Sequence, residues 1–220
     1  ELFKKLDGKY QILADIVGES LYRGITTGLN EAFVIDKHTR DQLIQQDSRS
    51  TQILKPMKPG QDLRPWYQAE SEQYLVWSYK GIPIDDYPAV KGHLQKFHET
   101  LAQRWEPAHG QCEWYELRPC SYYEQFDVPK IVWGDISRFP RFSWNTSGDY
   151  INNTGFFISK VSLSRLALLQ SRASWFYLSQ TATVHNIRLG YWRYRVLPQF
   201  VERLPIPDLT AQQDSDLAAI

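Results

Sequence analysis

The sequence predicts an α+β fold made of mixed short β-sheets and a few packed helices. Short runs rich in aromatic and β-branched residues recur along the chain, and segments with apolar residues at three- and four-residue steps lie between them. The two kinds of segment do not alternate regularly, which disfavours a doubly wound parallel sheet. With 220 residues, 42% of them hydrophobic and 14% aromatic, the chain is large enough to bury a real core.

Five strands are predicted from the aromatic and β-branched runs. In chain order they cover residues 32–35, 74–78, 114–117, 131–133 and 156–158. Each is only three to five residues long, as expected of several small sheets rather than one large one.

Helices are predicted at residues 41–46, 88–105 and 163–179, and a further one begins after Pro207. The helix at 88–105 presents one apolar face, formed by Val90, Leu94, Phe97, Leu101 and Trp105. The helix at 163–179 is the most apolar and begins with Ser162 or Ser164 as its N-cap. Its predicted core stripe is Leu166, Leu169, Ala173 and Phe176, and the run Trp175-Phe176-Tyr177 is also predicted to be core.

The organisation of the chain points to one domain over residues 1–220. No internal repeat or low-complexity tract occurs, and the Pro/Gly clusters are short enough to be turns. There is no initiator Met, no apolar leader and no run long enough to span a bilayer, and the sequence stops inside the helix predicted after Pro207. We therefore expect a fragment of a larger cytoplasmic protein with no membrane association.

The charges are distributed unevenly, although the net charge is zero. Residues 130–206 hold ten Lys/Arg and three Asp/Glu, whereas residues 1–129 hold 15 and 19. Arginine dominates this basic block of net charge +7, and its planar fork suits phosphate oxygens and guanine edges. The pattern is typical of a protein with one DNA-facing side.

No residue pattern indicates a catalytic centre. The sequence has no Gly-rich nucleotide loop, no GxSxG motif and no Asn-Pro-Pro-aromatic tetrapeptide. The spacing of Cys112 and Cys120 fits neither a redox pair nor a zinc site, and the five histidines form no ligand set. The adjacent Asp85 and Asp86 are interpreted as a helix cap. We expect no cofactor or metal in this segment.

Three stretches are candidates for DNA contact. In the first, the hydroxyls of Thr26 and Thr27 lie between two glycines, with Arg23 directly before the first glycine and Asn30 after the second, a pattern that suits either backbone approach to a ligand or an ordinary tight turn. The second interleaves cations with aromatics, and its candidates are Arg188, Tyr191, Trp192, Arg193 and Arg195. The third runs from Lys130 to Trp144 and includes Arg138 and Arg141. For the last two stretches the alternative is a strand with one cationic face and one buried aromatic face.

Several motifs in order resemble a known family. They are Arg23-Gly24-Ile25-x-Thr27-Gly28-x-Asn30-x-Ala32-Phe33-Val34-Ile35, Ile53-Leu54-Lys55-Pro56, Gly60-Gln61-Asp62-Leu63-Arg64, Tyr87-Pro88, Leu94, Leu101, Arg104, Trp114-Tyr115-Glu116-Leu117, Pro129-Lys130-Ile131, Leu168-Leu169-Gln170-Ser171 and Leu204-Pro205-Ile206-Pro207. From about residue 12 to residue 208 the chain resembles the TaqI-like C-terminal specificity domain.

The resemblance implies a fold of the target-recognition-domain type and a role in reading DNA. These domains follow an S-adenosylmethionine-dependent N6-adenine DNA methyltransferase domain, often in type IIG restriction-modification enzymes that carry a Mg-dependent nuclease, and in phage-defence methylases. The implied partners are double-stranded DNA and the catalytic domain of the same chain. The family often has Leu-Asn-Ser at residues 169–171 and more glycine at 187–194, where this sequence departs from it.

These expectations assign roles to the candidate residues. Lys130, Arg138 and Arg141 are expected to contact phosphates, and Arg23, Asn30, Arg188, Arg193 and Arg195 are expected to contact base edges. Two other functions remain open: a clamp or protein-docking domain that does not read sequence, and a free-standing module that binds glycan or single-stranded nucleic acid on exposed tryptophans.

Overall fold

The computed structural model describes residues 2–65, 67 and 70–219. Its helices are α1 (Leu2–Leu6), α2 (Leu13–Val17), α3 (Asn30–Phe33), α4 (Lys37–Gln46), α5 (Pro88–Gln95), α6 (His98–Ala102), α7 (Trp105–Ala108), α8 (Leu163–Gln170), α9 (Arg172–Thr181), α10 (Pro198–Val201) and α11 (Ala211–Ala218). Its strands are β1 (Gln11–Ile12), β2 (Leu21–Arg23), β3 (Val34–Asp36), β4 (Leu54–Lys58), β5 (Gln73–Val76), β6 (Lys130–Gly134), β7 (Ile136–Ser137), β8 (Ser143–Asn145), β9 (Tyr150–Ile151), β10 (Gly155–Ser159), β11 (Thr183–Arg188), β12 (Tyr191–Arg195) and β13 (Pro205–Ile206). These short elements confirm the α+β prediction.

The chain forms two compact units. Unit 1 consists of Glu1–Gly24, Pro59–Ala69 and Gln125–Ile220, and unit 2 consists of Ile25–Lys58 and Glu70–Glu124. Neither unit is a continuous stretch of sequence, because each is assembled from separated segments. That the whole of residues 1–220 acts as one functional domain stays a prediction.

Unit 1 is built on antiparallel sheets. The largest has the order β2-β10-β6-β8, and the central strand β10 is buried along its whole length. A second sheet has the order β11-β12-β7, and β1 pairs with β13. The core is apolar and joins the large sheet to α2, α8, α9 and α10 through Leu13, Val17, Ile131, Trp133, Phe142, Phe156, Ile158, Leu169, Tyr177, Leu178, Val196, Val201, Leu204 and Ile206.

Close glycine packing fixes the segment that begins at Pro59 against the large sheet of unit 1. A Cβ atom on Gly60 would lie 2.2 Å from the carbonyl oxygen of Thr154, and one on Gly134 would lie 2.4 Å from that of Gly60. Both distances are too short for any side chain, so glycine is required at both positions. The contact holds the backbone that carries Arg64.

Unit 2 contains the antiparallel sheet β3-β5-β4 with helices α3 to α7. The side chain of Asp36 caps α4 by accepting a hydrogen bond from the Thr39 amide at 2.7 Å. The guanidinium of Arg104 is buried and donates hydrogen bonds to the carbonyls of four residues, which are Thr27, Leu101, Trp114 and Glu116. Arg104 thus ties α6 to two irregular segments of the same unit.

Two of the five strand predictions need correction. Residues 30–33 form the helical turn α3 because the amides of Ala32 and Phe33 donate to the carbonyl of Leu29, so the strand begins only at Val34. Residues 114–117 form a turn, since the carbonyls of Trp114 and Glu116 accept from Arg104 rather than from a neighbouring strand. The strands at 74–78, 131–133 and 156–158 are confirmed as β5, β6 and β10 within a residue or two.

The two long helices are each broken. The segment 88–105 forms α5 and α6 and reaches the first residue of α7, and Arg104 in extended conformation leaves Trp105 56% exposed. The segment 163–179 divides at Ser171, which is extended and caps α9 through its hydroxyl. The break turns the predicted stripe, so Leu169 is buried whereas Leu166 and Phe176 are only half-buried and Ala173 is exposed. Trp175 is likewise half-buried, and Tyr177 is buried.

Candidate nucleic-acid interface

A β-hairpin of β11 and β12 projects from unit 1. Every residue of β11 is exposed, and β12 becomes half-buried only at Arg193. The turn consists of Leu189 (φ 52°) and Gly190 (φ 78°), both left-handed, as a two-residue type I′ turn requires. At its base β12 pairs with β7, which joins the hairpin to the end of β6.

The pairing register divides the hairpin into two faces. Arg188 lies opposite Tyr191 and Asn186 lies opposite Arg193, so these four side chains share one face. On the other face Ile187 lies opposite Trp192 and Val184 opposite Tyr194. One face is therefore polar and cationic, and the other is apolar with Ile187 and Trp192 more than half exposed.

The cationic face borders a cleft of 630 Å³ in unit 1, which we call the arginine cleft. Ten of the described residues line it, five of them arginines and none of them a carboxylate, and they are Arg64, Pro65, Ile136, Ser137, Arg138, Phe139, Arg141, Arg188, Leu189 and Arg193. Several cations in one concave surface raise the local positive potential, because low-dielectric walls focus the field. Such a surface favours a polyanion.

Arg64 and Arg141 hold the same pair of carbonyl oxygens. Arg64 donates to the carbonyls of Gln61 at 2.7 Å and Leu63 at 3.1 Å, and Arg141 donates to the Gln61 carbonyl at 3.0 Å and also to that of Leu63. Burial and the charge of Arg64, with a smaller effect of Arg138, lower the pKa of Arg141 from its ordinary value, the Asp62 carboxylate opposes them in part, and Arg141 stays protonated at neutral pH. The shared carbonyls bring two like charges together, which favours an anion nearby.

Arg138 links this pair to the hairpin. It directly follows β7, and its guanidinium lies 5.2 Å from the ring centroid of Tyr191 and 5.5 Å from that of Phe139. Both rings are exposed, Tyr191 by 60% and Phe139 by 41%. Cation–π stacking of this kind orders a guanidinium without using its N–H donors, which remain for phosphate or base oxygens.

Arg138, Arg141, Arg188, Tyr191 and Arg193 are the sequence-predicted residues that the structure brings together in or beside the arginine cleft. Arg64 also lines the cleft but was not predicted as a site residue, although it belongs to the Gly60–Arg64 motif. Nothing in the local sequence shows that its segment packs in unit 1. Phe139 and Leu189 were missed for a related reason, since exposed apolar residues carry no recognisable binding pattern.

Other predicted residues have different surroundings. Lys130 is fully buried, and its ammonium donates to the Phe126 carbonyl at 2.6 Å and to Asn145 Oδ1 at 2.9 Å. Arg195 makes a two-fold ion pair with Asp135, with both N···O distances 2.7 Å, and this contact raises the pKa of Arg195. Each cation already has close partners within unit 1.

Arg23 and Trp192 remain accessible but lie outside the lining of the arginine cleft. Arg23 is exposed at the end of β2, and its Nε donates to the carbonyl of Asn153 at 3.2 Å. Trp192 is 54% exposed on the apolar face of the hairpin. DNA contact by either residue stays a prediction.

Thr26, Thr27 and Asn30 belong to unit 2 and are described there by themselves. The hydroxyl of Thr27 is buried and donates to Asn30 Oδ1 at 2.7 Å, while Asn30 is exposed at the start of α3. Thr26 lines a separate cavity of 270 Å³ with Arg118, Cys120 and Tyr122 among its neighbours. The Thr27–Asn30 hydrogen bond supports the tight-turn interpretation of this stretch, and any DNA contact by the three residues stays a prediction.

The described residues offer little redox or metal chemistry. Burial raises the pKa of the Cys112 and Cys120 thiols, so both are protonated at neutral pH. No three His, Cys, Asp or Glu side chains in residues 2–65, 67 and 70–219 are grouped so as to hold a metal ion. The longest helices in the same part of the chain have ten residues, far fewer than a bilayer span needs.

Comparison with known proteins finds a distant similarity to type II methyltransferases and restriction-modification enzymes. No family model matches it. It is 23% identical over 207 residues to the type II methyltransferase M.BanIII of Aneurinibacillus aneurinilyticus, and 20% identical over 224 residues to the type II methyltransferase M.BstVI of Geobacillus stearothermophilus. The matches cover 88% and 94% of this chain but only 35% and 36% of those proteins, so the chain spans about a third of their length.

Two solved structures share the fold. One is the type IIL restriction-modification enzyme MmeI in complex with DNA, with a TM-score of 0.66, 15% identity, and coverage of 93% of this chain and 27% of that one. The other is the type IIG restriction endonuclease BpuSI, with a TM-score of 0.54, 10% identity, and coverage of 99% and 27%. At these identities the likeness concerns the fold alone.

Proposed function

We propose that the chain is a target-recognition domain that reads double-stranded DNA for an S-adenosylmethionine-dependent adenine-N6 methyltransferase of the type IIG kind. The observation that carries the proposal is the arginine cleft, whose described lining residues include five arginines and no carboxylate beside the cationic face of an exposed hairpin. The resemblance to specificity domains and the distant similarity to type II methyltransferases support the same function.

The dimensions of the hairpin suit the major groove. Strands of six and five residues extend about 17 to 20 Å at 3.3 to 3.4 Å per residue. The major groove, about 12 Å wide, admits a two-stranded ribbon and presents a distinct donor and acceptor pattern for each base pair, whereas the minor groove, about 6 Å wide, mainly distinguishes A·T from G·C. The hairpin then brings Arg188 and Arg193 to base edges, where an arginine that binds guanine by two hydrogen bonds gives discrimination of about 1 to 3 kcal/mol.

Phosphates would be held by the rest of the cleft. Arg64 and Arg141 are fixed by shared carbonyls and suit a contact that positions the duplex without reading it. Arg138, stacked on Tyr191, lies between these and the hairpin. We leave Lys130 and Arg195 out of this DNA-contacting set, because the ammonium of Lys130 is buried on the Phe126 carbonyl and Asn145, and the charge of Arg195 is paired with Asp135.

The catalytic chemistry would belong to another part of a longer protein. The sequence has no Gly-rich loop after a strand to hold S-adenosylmethionine and no Asn-Pro-Pro-aromatic motif for the target amine. The cofactor, and Mg where a nuclease is present, would therefore bind outside these residues. The target adenine would be flipped into that catalytic domain, as base-modifying enzymes require.

The test is selection of duplexes from a random library by this chain, followed by mapping of methylated adenines in cells that express the longer protein. One enriched motif that matches the methylated motif supports the proposal. Replacing this segment by that of a relative should change the motif. Enrichment of no sequence, together with an unchanged methylation motif after replacement, would refute it.

A second function, docking onto the catalytic domain without reading sequence, is favoured by the apolar face of the hairpin. Val184, Ile187 and Trp192 are 46%, 56% and 54% exposed there, and together they form a patch typical of protein contact. The same segment replacement separates the two functions, because a docking domain would alter activity but leave the methylated motif unchanged.

A further inference from the structure

We propose that Leu189, at the tip of the hairpin, packs against the 5-methyl group of a thymine in the major groove and thereby makes that base pair part of the recognised sequence. The inference rests on the proposed function and adds a chemical identity to one recognised base. It begins from a residue that no motif in the sequence singled out.

Both the backbone conformation and the exposure of Leu189 are unfavourable in the free protein. Its φ of 52° lies in the left-handed region, where residues with a Cβ atom are strained and where hairpin turns prefer Asn, Asp or Gly. The residue is also 84% exposed, so burial does not offset the strain. Strained residues of this kind are concentrated at binding sites, where a ligand supplies the missing contacts.

The surroundings of Leu189 indicate a partner that is both anionic and locally apolar. Leu189 lines the arginine cleft together with Arg188 and Arg193. The arginines of this surface attract phosphates, and a single aliphatic side chain lies at the tip of its hairpin. This combination fits DNA better than it fits a protein or glycan. The thymine methyl group is the apolar group that unmodified base edges present in the major groove.

The other apolar residues of the hairpin do not share this position. The side chains of Ile187 and Trp192 lie on the opposite face and are not part of the cleft lining. Ile187 is 56% exposed and therefore provides a matched control for Leu189, since its truncation removes a similar apolar side chain from the same hairpin.

The experiment removes the methyl group from the DNA and the aliphatic group from the protein. A duplex selected by this chain is remade with each thymine replaced singly by uracil, which lacks only the 5-methyl group. At one position we expect the dissociation constant to rise about 4-fold, which corresponds to the free energy of burying one methyl-sized group. In Leu189→Ala and Leu189→Asn the same thymine-to-uracil replacement should leave the dissociation constant unchanged. In Ile187→Ala it should still raise the dissociation constant.

Leu189→Asn also guards against unfolding as the explanation. Asparagine tolerates the left-handed conformation, so this variant should be at least as thermally stable as the wild type while losing the preference for thymine. A gain in thermal stability together with a loss of the thymine preference is expected only where a strained residue serves binding.

Three results would overturn the inference. Equal binding to every uracil-containing duplex would show that no thymine methyl is contacted, and a preference retained in Leu189→Ala would assign the contact to another residue. Increased fluorescence of a 2-aminopurine near the tip, present with the wild type and lost in Leu189→Ala, would show a wedge that unstacks bases instead. Failure to bind any duplex, together with a methylation motif that stays unchanged after segment replacement, would refute the proposed function itself, whereas binding without a thymine preference would refute only this inference.

Discussion

The arginine cleft makes a specific prediction about how DNA binding depends on salt. Three arginines that line the cleft, Arg64, Arg138 and Arg141, are proposed to contact phosphates, whereas Arg188 and Arg193 are proposed to contact base edges. Each phosphate contact contributes about −0.9 to the slope of log K against log salt concentration. Three contacts give a slope of about −2.7, which is a loss of roughly 40-fold between 50 and 200 mM salt.

Arg138→Gln should remove one of these contacts. The slope should become about −1.8, and the loss of affinity over the same range should shrink to about 12-fold. The measurement is fluorescence anisotropy of a labelled duplex titrated with this chain at four or more salt concentrations.

Arg172→Gln is the matched control. Arg172 is exposed in the same unit, at the start of α9, and does not line the arginine cleft. The two variants have the same net charge, so only the position of the lost charge differs. If both variants flatten the slope equally, binding depends on overall charge and the assignment of the cleft fails.

Three further predictions concern stability. Arg104→Lys should destabilise unit 2 by about 2 to 4 kcal/mol in urea denaturation, because one ammonium is unable to reach the four carbonyls that the guanidinium serves. Burial lowers the pKa of His93 below 6.5, so the unfolded state binds a proton before the folded state does; stability should therefore fall as the pH drops below about 6.5, and His93→Gln should flatten that dependence. Gly24→Ala should destabilise unit 1 by about 1 to 3 kcal/mol or more, because the added Cβ would lie 1.9 Å from the carbonyl oxygen of Asn152.

Two of these three stability predictions have a matched control in the same chain. Arg118→Lys changes an ion pair with Glu106 in which the arginine side chain is 42% exposed, so its effect should stay below about 1 kcal/mol. Gly92→Ala places a methyl group in open space within α5 and should stabilise the protein by about 0.5 to 1 kcal/mol. Equal losses in Arg104→Lys and Arg118→Lys, a destabilising Gly92→Ala, or an unchanged pH dependence in His93→Gln would contradict the corresponding argument.

Local patterns in the sequence predicted part of this structure well. Continuous apolar runs such as those at 131–133 and 156–158 form buried strands, because their side chains have no stable place outside a core. The basic block at 130–206 and its interleaved aromatics pointed to the hairpin region. The same patterns failed at 88–105 and 163–179. The first helix is interrupted at residues 96–97 and again at residues 103–104, and the second at Ser171, whose hydroxyl caps α9. The apolar spacing does not show these interruptions.

The sequence by itself determined the α+β class, the buried strands and the concentration of arginine in one part of the chain, since propensity, apolar periodicity and charge are local properties. Only the tertiary structure decided which cations share a site. It brought Arg64, from a segment more than 70 residues earlier than the other cleft arginines, to Arg141 through the carbonyls of residues 61 and 63. It also buried the charge of Lys130 on the Phe126 carbonyl and Asn145. The physical reason is that burial and hydrogen-bond partners depend on which distant segments pack together, and residue type alone does not specify them.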